Sequence, residues 1–316
     1  MSKQYTDTLL LGFLNLFWLR FCGMIEYGGK FHKTHGWISC LYCVHDTVQD
    51  KQRKYNMMFW SLFFACKGVE PAPDDLDALS TYMWRHFLDE ENDALQMGIT
   101  NLHTIMDVDN FEDLIDGSIS NLSQSDLDAL GREDQDASLL SGVFFVNKVS
   151  CPISGIEPNV YALAQDELHP DTYDAYERAY TSNFDAYVAR EENILTWDTT
   201  YDISGFGYEY TAYLESSLRY AAKESDSDFA DMIISRTILK EPAYFDEGST
   251  ERGLFQDFQM EIYYQLESGD SLHFYGIWRE MTLFGDTTFA SESAQRLVLD
   301  GLSDWDNDIE ENCIQP

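Results

Sequence analysis

Apolar residues recur at helical spacing along much of the chain. After Pro71 and Pro73 break regular structure, Asp74 or Asp75 can cap a helix. The apolar face of this helix consists of Leu76, Leu79, Met83, Phe87 and Leu88. Similar spacing predicts further helices at about residues 208–223, 226–240, 249–267 and 290–302.

An aromatic stripe gives the clearest helical pattern. Its members step by three, four, four, three and seven positions and are Tyr173, Tyr176, Tyr180, Phe184, Tyr187 and Ile194. This spacing predicts one helix of more than about 20 residues that begins near Pro170. The tyrosines either pack on the core beneath the helix or form an interaction face, because tyrosine combines a large apolar ring with a polar tip.

Strand character is limited to a few segments, so we expect an α+β fold that is predominantly helical. Residues 30–48 predict short strands, and residues 139–149 (LLSGVFFVNKV) predict another. The break near residue 70 separates a small, aromatic N-terminal module (1–70) from a larger acidic, helical body (71–316). A polar segment at 131–138 is a candidate boundary within the body.

The charge of the chain changes at the same break. The whole sequence has 56 acidic and 20 basic residues, a net charge of −36. Residues 1–69 contain four acidic and eight basic residues, which leaves 52 acidic and 12 basic residues in the rest. Such a chain has no general basic surface for nucleic acid or for an anionic membrane. We therefore expect the body to bind a protein partner with a basic, DNA-binding surface.

The residues expected to contact this partner are aromatic and acidic. They are Tyr173, Tyr176, Tyr180 and Tyr187 of the stripe, together with Asp74, Asp75 and Asp77. Salt adaptation and simple solvation are alternative reasons for the acidity. The apolar run Leu9–Cys22 is too short for a membrane span and contains Asn15 and Arg20, so we expect a cytoplasmic protein.

Four cysteines of the N-terminal module are candidate zinc ligands. Cys40 and Cys43 are spaced so that two thiolates can bind one Zn²⁺, and Cys22 and Cys66 can complete the set. Histidines of the module are further candidates: His32, His35 and His45. The alternative is that these cysteines are buried free thiols. In a reducing cytosol we expect no disulfides, and no cofactor other than this zinc is predicted.

No motif of known catalytic chemistry is present. The sequence lacks a nucleophile elbow, an H-E-x-x-H pair, a P-loop and a complete G-x-G-x-x-G. Asp304, Asp306 and Asp308 imitate a calcium loop, but Ile309 and Gln315 stand where glycine and glutamate are required. We therefore expect a binding protein rather than an enzyme.

In its profile the chain resembles the phage-encoded Gabija anti-defence proteins. The likeness consists of its length, the acidic body after Glu70, the N-terminal FHKTHGWISCLYC segment and the Tyr173–Tyr187 stripe. The resemblance implies a homo-oligomer in the host cytosol that encloses a nuclease–helicase complex and blocks DNA binding and cleavage without turnover. Two alternatives remain: a metal-dependent hydrolase or nucleotide-modifying enzyme with an unrecognised carboxylate site, and an acidic virion or scaffold protein.

Overall fold

A computed structural model of the chain describes residues 70–106, 115–170, 172–205, 208–222, 231–245, 250–283 and 287–313. The N-terminal module and its zinc candidates Cys22, Cys40, Cys43 and Cys66 lie outside the described residues. The zinc site and the division of the chain near residue 70 therefore stay predictions.

The described chain is organised around one large antiparallel sheet. Its strands are β1 (Ile115–Ile119), β2 (Ser141–Val149), β3 (Ala175–Tyr180), β4 (Ile194–Gly205), β5 (Tyr208–Ala221), β6 (Met232–Leu239), β7 (Ala243–Tyr244), β8 (Gly253–Gln265) and β9 (Ser271–Thr282). The strand order is β1-β2-β9-β8-β6-β5-β4-β3, and β7 pairs with β8 outside this path. The expectation of a predominantly helical body is therefore wrong.

Helices cover both faces of the sheet. They are α1 (Leu76–His86), α2 (Asp93–Ile105), α3 (Gln124–Ala129), α4 (Ile153–Tyr161), α5 (Gln165–Leu168), α6 (Phe184–Val188) and α7 (Glu292–Glu311). On one face, Trp84 of α1 packs edge-on against Phe258 and Trp278. On the opposite face, buried Leu299 and Ile309 of α7 join two apolar clusters with residues of the sheet.

Three local sequence signals are confirmed. Helix α1 begins where expected, because the Asp75 side chain accepts a hydrogen bond from the Ala78 amide at 2.9 Å. Strand β2 occupies most of the predicted 139–149 segment, and α7 begins within the predicted 290–302 segment and continues to Glu311. The polar segment 131–138 connects α3 to β2, and β1 pairs with β2 across it.

Four predicted helices are wrong. The segments at 208–223, 226–240 and 249–267 contain β5, β6 and β8. The aromatic stripe is not one helix either: it runs through β3, a turn at Ser182, the short helix α6 and the start of β4. Because helices cover both faces of the central strands, apolar residues occur on both sides and the alternation expected of a strand is lost.

A disulfide joins Cys151, just after β2, to Cys313, just after α7. The two cysteines are 162 residues apart in sequence, and Cys151 is fully buried. The expectation that the chain contains no disulfide is therefore wrong. The bond attaches the C-terminal end of α7 to the segment that precedes α4.

Candidate functional site

A cavity of about 220 Å³ lies between the sheet and α7. Helix α7 contributes Leu302, Trp305 and Ile309 to its wall, and the chain around α5 contributes Gln165 and His169. Aromatic rings line much of the rest, namely Tyr173, Tyr176, Trp197, Tyr201 and Tyr275. The cavity thus has an aromatic wall and is closed on one side by the C-terminal helix.

The floor of the cavity is a polar patch on the sheet. Its members come from inward-facing positions of β4, β5, β6 and β8, and they are Thr199, Ser216, Ser235, Thr237, Gln259 and Glu261. Thr237 pairs in register with Ser216 on one side and with Gln259 on the other, and Ser235 pairs with Glu261. We call these six residues the polar floor.

The polar floor lies between two apolar clusters on a face of the sheet that also carries His273 and the Asp257–Arg279 ion pair. On the same face, one apolar cluster includes Leu214 and Ile277, and a second includes Leu218 and Tyr263. Burying hydroxyl, amide and carboxylate groups costs free energy unless each finds a hydrogen-bond partner. The grouping of six polar positions around one cavity therefore indicates that they serve the cavity.

Polar groups of the floor form hydrogen bonds with one another and with a neighbouring tyrosine. Ser216 Oγ and Thr237 Oγ1 lie 2.9 Å apart. Ser235 Oγ donates to Glu261 Oε2 at 3.1 Å, and the Tyr263 hydroxyl donates to Glu261 Oε1 at 2.8 Å. Several of these groups retain acceptor or donor capacity toward the cavity, since a hydroxyl can both donate and accept.

Beside the floor, on the same face of the sheet, His273 of β9 lies between two carboxylates. Its Nδ1 is 2.7 Å from Asp306 Oδ1 of α7, and its Nε2 is 3.2 Å from Glu261 Oε1. The second contact is at ion-pair distance, although it lacks the alignment of a hydrogen bond. Asn147 donates a further hydrogen bond to Asp306 at 2.8 Å. Glu261, His273 and Asp306 form what we call the buried triad.

Two members of the buried triad, His273 and Glu261, are ionised at neutral pH. Burial lowers the pKa of His273, but Asp306 and Glu261 outweigh burial and raise this pKa to about 9. Burial raises the pKa of Glu261, but His273 and the hydrogen bonds from Tyr263 and Ser235 bring it below its usual value. The imidazolium of His273 therefore lies between the ionised side chain of Glu261 and the carboxyl group of Asp306.

A second histidine closes one end of the cavity. His169 is buried, its Nδ1 lies 2.8 Å from Asp308 of α7, and its ring stacks on Trp305 at a centroid distance of 3.4 Å. Burial lowers the pKa of His169 despite the neighbouring Asp308. This histidine packs as a neutral ring that holds α7 against the chain after α5.

Arg178 fixes the edge of the cavity at β3. Its guanidinium donates to the carbonyl oxygens of Val160 at 2.7 Å and Ala162 at 2.9 Å. It also donates to the Tyr176 hydroxyl at 2.8 Å and lies 4.6 Å from the centroid of the Trp197 ring. Arg178 therefore joins the end of α4 to the sheet.

The aromatic wall presents three donors to the cavity, namely the hydroxyls of Tyr173 and Tyr201 and the indole N–H of Trp197. The indole N–H is buried and has no hydrogen-bond partner among the described residues. Burial raises the pKa of both tyrosines, so their hydroxyls stay protonated. These groups can donate hydrogen bonds to a molecule in the cavity.

The tyrosines expected to form one interaction face are divided between the cavity and the core. Tyr173 and Tyr176 line the cavity. The Tyr180 hydroxyl donates to the Tyr161 carbonyl at 2.7 Å. Fully buried Tyr187 donates to Glu157 at 2.6 Å. The single helical face that these residues were expected to share does not exist.

The three aspartates expected to contact a partner bind local groups. Asp75 caps α1, and Asp74 accepts from Asn101 Nδ2 at 3.4 Å. Asp77 accepts from the hydroxyl of Ser120 at 3.0 Å. All three are exposed, and their contact with a partner protein stays a prediction.

Sequence reasoning missed the polar floor and the buried triad. The available signal was the polar residues at alternate positions within apolar runs: Ser235 and Thr237 in MIISRTIL, and Gln259 and Glu261 in FQMEIYY. In the sequence, Asp306 stands out only as part of an incomplete calcium loop.

Among the described residues, no group of histidine, cysteine and acidic side chains could hold a metal ion. No described helix is long and apolar enough to cross a membrane.

Comparison with known proteins found solved structures only. No family model and no curated protein matches the chain. The chain is similar to the human StarD13 (DLC2) lipid transfer and protein localization domain, with 11% identity and a TM-score of 0.39 over 65% of this chain and 86% of that one. It is also similar to a START superfamily protein from Mycobacterium smegmatis, with 12% identity and a TM-score of 0.36 over 54% of this chain and 96% of that one. For human STARD10 the identity is 6% and the TM-score is 0.37, over 61% of this chain and 81% of that one.

These comparisons correct the resemblance drawn from the sequence. No family model or curated protein supports a Gabija anti-defence protein, and the matched structures are START-type domains. The expected inhibitor of a DNA-processing defence complex is therefore wrong. The cytoplasmic location and the homo-oligomeric state stay predictions.

Proposed function

We propose that the described body is a binding module that holds one small molecule in the cavity between the sheet and α7, without turnover. The polar floor is the observation that supports this most directly. The polar groups of the floor hydrogen-bond to one another and to their neighbours, and their hydroxyl and carboxylate oxygens can accept further hydrogen bonds from a molecule in the cavity. A bound molecule with polar groups would donate those hydrogen bonds and be held by the aromatic wall.

The volume of the cavity limits the size of the ligand. About 220 Å³ corresponds to roughly seven water molecules at ~30 Å³ each. Drug-sized ligands generally occupy larger pockets, from about 300 Å³ upward. The ligand is therefore a compact molecule on the order of ten non-hydrogen atoms rather than a long acyl chain.

A cavity-filling substitution tests this proposal. Ser216 is buried on the polar floor, so Ser216→Phe places a ring where the ligand would lie. We expect compact aromatic fragments to raise the unfolding temperature and to shift nuclear magnetic resonance signals of the full chain. We expect Ser216→Phe to abolish both effects. Ser154→Phe, at an exposed position of α4, is the matched control and should retain them.

A second variant keeps the test decisive if Ser216→Phe does not fold. Thr237→Val removes one hydroxyl of the polar floor with little change in volume, and we expect it to weaken fragment binding severalfold. Fragments that bind a folded Ser216→Phe protein as tightly as the wild type would place the ligand elsewhere. The proposal would then be wrong.

A further inference from the structure

The buried triad places a carboxylate at the wall of the cavity. Glu261 and Asp306 share one imidazolium, and Glu261 is the carboxylate of the triad that lines the cavity. Arg279 is not a partner of Glu261, because both of its hydrogen bonds to a carboxylate go to Asp257, at 2.8 and 2.9 Å. A cation in the cavity would give the Glu261 carboxylate a further charged partner.

One oxygen of Glu261 can still accept hydrogen bonds. Oε1 faces both the Tyr263 hydroxyl and His273 Nε2, whereas Oε2 accepts only from Ser235 among the described residues. An ionised carboxylate oxygen has two lone pairs, so Oε2 has room for another donor. A protonated amine supplies such a donor, and its positive charge strengthens the hydrogen bond to the carboxylate.

The aromatic wall is also suited to a positive group. Tyr173 is tilted against Tyr176 and Tyr201, with centroid distances of 4.9 and 5.4 Å. The faces of such rings attract cations because they carry the negative part of the ring quadrupole. The guanidinium of Arg178 already lies over Trp197 in this way, on the β3 side of the wall.

The opposite charge on the ligand is disfavoured. Arg178 is the guanidinium that lines the cavity, and carbonyl oxygens at the end of α4 hold it in place. It belongs to the edge strand β3, four strands away from β8 and Glu261 in the sheet order. An anion over the polar floor would instead face the carboxylate of Glu261.

We propose that the ligand of the cavity is a small organic cation: a protonated amine on a flat, apolar body, with its ammonium group on Glu261 and its body against the tyrosines. This inference rests on the proposed binding function and adds the chemical class of the ligand. The high net negative charge of the chain, −36, also raises the local concentration of cations.

Three probes with the same body and different charge test the inference. They are phenethylamine, phenethyl alcohol and phenylacetate, titrated calorimetrically against the full chain at neutral pH. We expect phenethylamine to bind at least about tenfold more tightly than phenethyl alcohol, because its hydrogen bond to Glu261 joins two charged groups. We expect phenylacetate to bind more weakly than either.

Substitution of the carboxylate shows whether Glu261 causes the preference. In Glu261→Gln we expect the amine and the alcohol to bind with dissociation constants within about threefold of each other. Glu177→Gln is the matched control, because Glu177 is an exposed residue of β3, and it should keep the wild-type preference. If Glu261→Gln does not fold, Tyr201→Leu serves instead. It should weaken the binding of phenethylamine severalfold more than the binding of phenethyl alcohol.

The outcomes separate this inference from the function on which it rests. If none of the three probes, nor any fragment, binds in the cavity, the proposed function is wrong as well. If phenethyl alcohol or phenylacetate binds as tightly as phenethylamine, the cavity binds ligands but the inferred cation is wrong. A folded Glu261→Gln protein that keeps the full preference for the amine would also overturn the inference.

Discussion

His273 connects the sheet to α7 by charge as well as by packing. It lies on β9, stacks on Tyr263 of β8 at 4.2 Å, and contacts Asp306 of α7 at 2.7 Å. Because the side chain is fully buried, its proton can exchange with solvent only when the local structure opens. His273 therefore contributes to holding α7, which forms one wall of the cavity, against the sheet.

The pH dependence of unfolding should report the protonation of His273. Its pKa is about 9 in the folded protein, against roughly 6.5 in an unfolded chain. The imidazolium therefore contributes stability that is fully present below about pH 6.5 and is lost as pH rises through about 9, by roughly 3 kcal/mol. Urea unfolding across this window should show that decline in the free energy of unfolding.

Substitution of His273 checks the origin of this decline. In His273→Gln we expect lower stability at neutral pH, because two buried carboxylates lose their shared cation, and a flatter pH profile. His103→Gln on α2 is the control and should keep the wild-type profile. An unchanged decline in His273→Gln would assign it to other groups, and an imidazole signal that titrates near 6.5 would contradict the raised pKa.

Residues of the site were visible in the sequence only as exceptions to a pattern. Ser235 and Thr237 are the two short polar side chains that face the cavity from the apolar strand β6, and sequence alone does not show that they lie beside Gln259 and Glu261. That neighbourhood depends on pairing between strands distant in sequence. His273 and Asp306, 33 positions apart, likewise meet only through the fold.

At the scale of elements, signals contained in one short segment were reliable. Helix α1 was predicted correctly because its cap and its apolar positions lie within a few residues of one another. Strand β8 was mistaken for a helix because buried residues occur on both of its faces. The aromatic stripe misled for another reason: its spacing is helical by coincidence, and the turn at Ser182 lies between β3 and α6.

The disulfide at the end of α7 should stabilise both the fold and the cavity. Cys151–Cys313 holds the helix end, assisted by a hydrogen bond of 3.1 Å from Asn159 Nδ2 to the Asn312 carbonyl. Because the bond closes a loop of about 160 residues, we expect Cys313→Ser to lower the free energy of unfolding by roughly 2–5 kcal/mol. Urea unfolding under non-reducing conditions measures this change.

The same substitution should weaken ligands of the cavity. Trp305 and Ile309 of the cavity wall lie on α7 within about two turns of the disulfide, so a less ordered helix end costs binding energy. Wild-type protein treated with a thiol reductant should behave like Cys313→Ser. Equal stability of the wild type and the variant, with the disulfide shown by mass analysis of the wild type, would contradict the prediction.

At the scale of the whole molecule, the excess of acidic residues affects the stability of the fold whether or not it also contributes to binding. In residues 70–316, 12 basic residues cannot pair with 52 acidic ones, so most carboxylates have no basic partner. The described pairs include buried acids, such as Asp257 with Arg279 and Glu157 with Arg190. The composition does not distinguish a surface that meets a protein from one that surrounds a small cavity.

Self-repulsion among these carboxylates should make the fold more stable in moderate salt. Raising NaCl from ~10 mM to ~150 mM shortens the screening length from about 30 Å to about 8 Å, so repulsion between exposed charges weakens. We expect the free energy of unfolding to rise by on the order of 1 kcal/mol, which raises the unfolding temperature by about 2–4 °C.

Over the same range of NaCl concentration, the association rate of phenethylamine should fall while that of phenethyl alcohol stays constant, because only the cation is attracted by the net charge of −36. An unfolding temperature that falls with salt would mean that attractive pairs outweigh the repulsion, and equal salt dependence of the two probes would contradict electrostatic attraction of the ligand.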